Sequence, residues 1–355
     1  MLRRNLMVPA IMVAAAVAAC GEDGPAPTGP SPEPRSEVAA LAAGYTIRPL
    51  GTLGGNQSRA SAINNVGETV GWSYTSSGKP HAFLFRAGVM RDLGALAGGH
   101  SEALAINDAS VVVGFSTILN GDMRAVRWKD GVKKNLGTLG GRNSMARGIN
   151  KDGTIVGWAE TGSGARHAFV WKNGVMRDIG TLGGATSQAN GINNVGKVVG
   201  SSETASGETH AFAWANSSFQ DLGDDGRAFG VAMAISNGRI AGFFGPARDA
   251  EGGERESITP WILASGVLTI FPTRQETSQA TGINPDGIVV GYDENVRYEL
   301  ATANAWVRRS DGTVGYLPEL SDGHAAALGI NRYGTIAGFS STADGWPKAV
   351  IWRPQ

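Results

Sequence analysis

From residue 45 onward, the chain alternates short apolar runs with clusters of Gly, Asn, Asp and Ser, a rhythm too short for helices. Between Arg59 and Leu96, four runs read as strands, at residues 60–64, 69–74, 81–86 and 89–93, each closed by turn-forming residues. No window sustains three helical turns before Gly or Asn interrupts it, so helical solenoids of similar repeat length are excluded. Aligned on the dipeptide Ile-Asn, the pattern recurs at Asn64, Asn107, Asn150 and Asn193 with a spacing of 43. It continues at Ser236, Asn284 and Asn331, after 43, 48 and 47 residues.

Seven units of about 44 residues, each with four strands, predict an all-β fold, a seven-bladed β-propeller of four-stranded blades. A parallel β-helix is the nearest competitor, but its coils are shorter and need no hairpin after every strand. The ends of the repeat region favour the propeller. TIRPLGTLGG at residues 46–55 matches the fourth-strand segment VMRDIGTLGG at 175–184, with no third strand before it. KAVIWRPQ at 348–355 matches a third strand and then stops. The surplus strand at the start therefore completes the last blade and closes the ring, which removes two open sheet edges.

Composition fits this reading. There are 52 glycines in 355 residues, with 42% hydrophobic and 17% charged residues. Collagen would need glycine at every third position, and a disordered chain would lack the apolar content. Thirty-one basic and thirty-one acidic residues cancel, so nucleic acid is not an expected partner.

Residues 1–19 have the layout of a secretory signal peptide, with Arg3 and Arg4 before an apolar stretch too short to be an ordinary membrane span. The stretch ends in Val17-Ala18-Ala19-Cys20, which resembles a bacterial lipobox. The resemblance implies cleavage after Ala19, acylation of Cys20 and anchoring of the protein to a membrane. Residues 20–44 then form a Pro-rich tether and residues 45–355 a single propeller. Gly21 after the cysteine resembles lipoproteins sorted to the outer membrane where two membranes exist. Cys20 is the one cysteine in the chain, so the exported domain is expected to hold together without disulfides.

Several slots repeat. Gly71, Gly114, Gly157, Gly200, Gly242, Gly291 and Gly338 share one position in the second strand, where a bulge or a closely approaching backbone is the usual reason for glycine. Phe85, Trp128, Trp171, Trp214 and Trp352 end third strands and read as packing between blades. His81, His167 and His210 begin third strands, outside the axis, and read as polar strand starts and not as a metal site. The strings HAFLF, HAFVW and HAFAW, with LGTLGG and GINNVGKVVG, resemble the HAF-repeat family of bacterial extracellular proteins. The likeness spans the propeller region, strongest in the first four units. It implies the repeat architecture and no particular activity.

No nucleophile elbow, zinc-protease, phosphate-loop or calcium-loop motif is present, and no cofactor or metal is expected. In a propeller, the loops after strands two and four share one face; here they vary in length, while the first hairpins hardly do. Variable loops on a rigid ring are where binding is expected. The fifth and sixth units carry the longest of these loops. They contribute the candidate residues Arg248, Asp249, Glu251, Glu254, Arg255, Glu256, Tyr292, Asp293, Glu294, Arg297, Tyr298 and Glu299. Such an acidic rim suits a cationic protein segment or a weakly held Ca²⁺, or is simply a solvated loop pair. The sequence thus points to a monomeric, lipid-anchored binding or scaffolding module of the bacterial envelope with a protein or glycan ligand. The alternative is a hydrolase or lyase acting on envelope polysaccharide from the same scaffold.

Overall fold

The computed structural model describes residues 44–227, 229–246, 257–275, 277–295, 302–321 and 323–355, all within the second of the two units of the chain, Glu37–Gln355. The signal segment, Cys20 and nearly all of the tether lie outside the described residues.

Among the described residues, 28 strands form seven four-stranded antiparallel sheets and no helix is present. The first blade runs outward through Gly54–Ile63, Thr69–Thr75, Pro80–Arg86 and Val89–Asp92. The innermost strands of the next five blades are Ser101–Ile106, Gly140–Ile149, Gly183–Ile192, Gly230–Ser236 and Thr277–Ile283. The seventh blade is built from Ala325–Ile330, Ile336–Ser341 and Pro347–Pro354, completed by Tyr45–Pro49 from the start of the domain. Tyr45 faces Pro354 and Pro49 faces Val350 in that pairing, so the closure expected from the surplus strand is the closure observed. Each innermost strand packs against the next, and the last packs against the first, which makes a ring.

The glycine slot has a steric cause. In all seven blades, the pairing of the innermost and second strands slips by one residue directly after the alanine opposite that glycine. The bulge drives a carbonyl into the space a side chain would need: a Cβ on Gly71 would lie 1.9 Å from the Arg59 oxygen, and one on Gly338 1.9 Å from that of Ala326. The innermost strands also begin earlier than the apolar pattern suggests. In three blades they start at the first glycine of the closing Gly-Gly of LGTLGG, where Leu53, Leu139 and Leu182 bridge to Thr75, Thr161 and Thr204. Thr52 Oγ1 donates to the Gly55 carbonyl at 2.8 Å, so part of this apparent loop is a ladder held by side chains.

The repeated Asn fastens the blades at the first-hairpin face. Its Oδ1 accepts from the backbone two and four residues on, as in Asn64 with Val66 (3.2 Å) and Glu68 (2.8 Å), which closes the turn. Its Nδ2 donates to the carbonyl of the equivalent Asn in the next blade: Asn64 to Asn107 at 3.1 Å, Asn107 to Asn150 at 3.0 Å, and Asn331 back to Asn64 at 3.1 Å. At the other face serines do this work. Ser58 Oγ accepts from Ala349 N at 2.9 Å and donates to Gly51 O at 2.6 Å, which ties the seventh blade to the first. Between blades the core is aliphatic and aromatic. Phe85, Trp128, Trp171 and Trp352 are buried, as expected, and Trp214 is half-buried against Phe212 and Phe219.

Candidate functional site

The innermost strands bring together residues that the repeat pattern does not unify. The position before the slot-facing alanine is Arg59, Glu102, Met145, Gln188, Val231, Gln279 and Ala326 in successive blades, and the bulged position carries Arg147 in the third blade and Asn190 in the fourth. Arg59, Glu102 and Arg147 are half-buried, while the alanines beside them are sealed; this marks a wall facing a narrow axial channel. Arg59 of the first blade lies over Phe339 of the seventh, 4.3 Å from its ring centroid, and Phe339 packs in one cluster with Tyr292 of the sixth.

Electrostatics at this level are unusual for a propeller core. Burial pushes the Glu102 carboxyl up to about 7, against the opposing charges of Arg59 and Arg147. Burial also draws both guanidiniums below their ordinary value. No ion pair within 4.0 Å joins either of them to Glu102. The Nε–H groups of Arg59 and Arg147 are buried and have no acceptor. Arg59 instead lies 4.3 Å from the centroid of Phe339 and 5.9 Å from that of Trp72, a cation held between rings. Arg147 Nη1 donates to Asn190 Oδ1 at 3.1 Å.

Arg59 and Glu102 lie four residues before the isoleucine that ends their strands and Arg147 two before its own, past the middle of the two ten-residue strands, whereas His100 precedes its strand at the variable-loop end. His100 and His324 flank this end, both drawn below the usual histidine value chiefly by burial. At the opposite end a funnel of about 790 Å³ opens around the axis, lined by Asn64, Asn107, Asn193, Asn284 and their neighbours, with a collar of isoleucines that includes Ile63 and Ile283.

Of the twelve residues proposed from the sequence, nine, Arg248, Asp249, Glu251, Glu254, Arg255, Glu256, Arg297, Tyr298 and Glu299, lie outside the described residues. The other three do not lie in a loop. Tyr292, Asp293 and Glu294 belong to the second strand of the sixth blade, Val289–Asn295, which pairs with Thr302–Arg308 to its end. Asp293 is fully buried and accepts a hydrogen bond from the Tyr316 phenol; burial holds its carboxyl above the usual range. Burial raises Glu294 as well. Tyr292 joins the channel set, its phenol donating to Gln279 Oε1 at 3.2 Å.

The histidines of the third strands each pair with the aspartate of the fourth strand eleven residues on: His81 with Asp92 at 2.8 Å, His167 with Asp178 at 2.7 Å and His210 with Asp221 at 2.9 Å. The same aspartates accept from Gly94, Gly180 and Gly223 N–H groups, which pins the start of the next loop. The repeated spacing of HAF and an aspartate, Arg-Asp in two units and Gln-Asp in the third, carries this pairing in the sequence.

No family model matches the chain, and no curated protein matches it. Among solved structures it is similar to TolB from Acinetobacter baumannii at 13% identity and a TM-score of 0.45, over 75% of this chain and 68% of that one. A puromycin-hydrolysing peptidase of Mycobacterium tuberculosis gives 13% identity and 0.45, over 91% and 53%. The six-bladed fungal lectin of Aleuria aurantia gives 13% and 0.36, over 86% and 96%. At these identities and scores neither ligand nor activity transfers from any of them. The strand pairing itself defines the chain as a seven-bladed β-propeller.

Proposed function

We propose that the protein is a binding module of the bacterial envelope, anchored through acylated Cys20, whose ligand binds in the axial channel. The observation that carries this reading is the charged set Arg59, Glu102 and Arg147. The repeat fills its structural slots alike from blade to blade, yet at this level it accepts two guanidiniums and a carboxyl without an ion pair. Half-burying charges that no ion pair compensates costs stability, so their presence points to function. A photocrosslinking residue at position 100, beside the channel mouth, should give an adduct in intact cells that one at position 133, on an outermost strand, does not. Equal labelling from both positions, or none from position 100, would refute the reading. For the anchor, Cys20→Ala should move the protein out of the membrane fraction; retention there would exclude lipidation.

One observation favours the enzyme reading. A carboxyl pushed up to about 7 suits a general acid. Glu102→Gln separates the two: it abolishes turnover of an envelope polysaccharide in the hydrolase or lyase and preserves ligand retention in the binding module.

A further inference from the structure

We propose that Arg59, Glu102 and Arg147 form a recognition site for a small oxyanion, the carboxylate of an acidic sugar or a phosphate, with the Glu102 carboxyl as an intrinsic competitor for the two guanidiniums. The inference rests on the binding reading above and names the chemistry of its ligand. Two guanidiniums from the first and third blades flank one carboxyl from the second. Each guanidinium keeps a buried Nε–H with no acceptor, and buried donors in folded proteins are almost always satisfied. The Nε–H groups are sealed, so an entering oxyanion would meet the terminal groups, both Nη of Arg59 and Nη2 of Arg147, which are not among the sealed atoms. Phe339 and Trp72 hold Arg59 by its faces, which leaves its N–H edge for such a ligand.

The acidity of Glu102 sets the sign of the pH effect. The titratable groups around it are Arg59 and Arg147, His100 just before its strand, Tyr292 and His324 near Arg59, and Arg166 near Arg147. Burial lowers both histidines and raises the tyrosine, whereas it brings Glu102 to about 7, so Glu102 changes charge between pH 6 and 8. Ionised, it offsets one guanidinium; protonated, it leaves both for the ligand. Oxyanion affinity should therefore rise as pH falls from 8 to 6.

The test is calorimetric titration of the full chain with glucuronate, inorganic phosphate and glucose at pH 6 and pH 8. Binding of glucuronate alone assigns an acidic sugar, and binding of phosphate alone assigns a phosphate-bearing ligand. Binding of both supports the oxyanion site as stated. Arg147→Met should weaken the bound anion by ~tenfold, as loss of a charge-assisted contact does. Glu102→Gln should tighten it several-fold at pH 8 and flatten the pH dependence, a gain that a misfolded variant cannot imitate. Glucose binding as well as glucuronate, no anion binding, or Glu102→Gln binding no tighter at pH 8 would overturn the proposal. If no anion binds but position 100 still crosslinks in cells, the oxyanion assignment fails while the binding reading survives.

Discussion

Gly157 and Gly153 are four residues apart in the third blade, and the structure assigns them opposite reasons for being glycine. Gly153 sits in the first hairpin with φ +77°, and a Cβ there would meet nothing within 4 Å. Alanine at 153 therefore carries only the conformational cost of the left-handed region, about 1 kcal/mol. Gly157 lacks a positive φ, but its Cβ would lie 2.0 Å from the Met145 oxygen and 2.9 Å from the Ala146 Cα, where real side chains keep at least 3.0 Å. The innermost strand would have to retreat by about 1 Å, in the one place where its bulge leaves no slack. The obstacle is backbone, so no change of side chain at Met145 relieves it. Overpacking of this kind costs about 3 kcal/mol. In a domain of this size each kcal/mol moves the melting temperature by roughly 2 °C, so scanning calorimetry should show a fall of about 2 °C for Gly153→Ala and about 6 °C for Gly157→Ala. Equal falls, or a larger one for Gly153→Ala, would refute the steric account of the slot.

Further outcomes follow from the same structure. Deleting residues 45–49 removes the strand that completes the seventh blade and should lower the melting temperature by about 10 °C or more, whereas deleting residues 21–36 should leave it unchanged. Asn331→Ala removes a buried donor to the Asn64 carbonyl and the acceptor for Tyr333 and Thr335 N–H groups; chemical denaturation should show a loss of about 2–3 kcal/mol. Asn65→Ala removes two exposed interblade hydrogen bonds, one donated to Asp108 Oδ2 and one accepted from Arg332 N, and should cost less, about 1 kcal/mol. Glu102 holds its proton in the folded chain up to about pH 7, while the unfolded chain releases it near 4.5. The folded state therefore binds more protons between those values, and wild-type stability falls as pH rises through that window. Glu102→Gln should lack this loss and exceed the wild type at pH 8 by up to about 3 kcal/mol, with the difference vanishing below pH 4.5.

The architecture was legible because it repeats. Ile-Asn spacing fixed the number of units, the unmatched strands at residues 46–50 and 348–355 fixed the closure, and the glycine slot announced a close backbone approach. The roles of Asn64 and its equivalents were not legible, because their partners lie a whole blade away and appear only once the ring is closed. The early start of the innermost strands was hidden by LGTLGG, whose glycines read as a loop but form an irregular ladder. The channel set escaped for a different reason. Arg59, Glu102 and Arg147 occupy slots whose identity changes from blade to blade, and Arg147 reaches the same level only through the bulge. A signal existed, since Arg59 and Glu102 precede alanines that repeat in every unit, but charge there reads as a solvated strand until the strand is known to be innermost. The expectation for residues 292–294 failed because the loop was started directly after Gly291, although its equivalent Gly71 is followed by the strand residues 72–75 and the sixth blade's second strand has the same seven residues as the first blade's.

The central claim is that the channel charges are kept for binding at the expense of stability. Replacing Arg59, Glu102 and Arg147 together by Met tests it most directly, with thermal unfolding and glucuronate and phosphate titration measured on the same sample. The account predicts a triple variant about 1–4 kcal/mol more stable than the wild type, because unpaired buried charges give way to apolar packing, and with no measurable anion binding. A variant that melts lower and binds as the wild type does would contradict it.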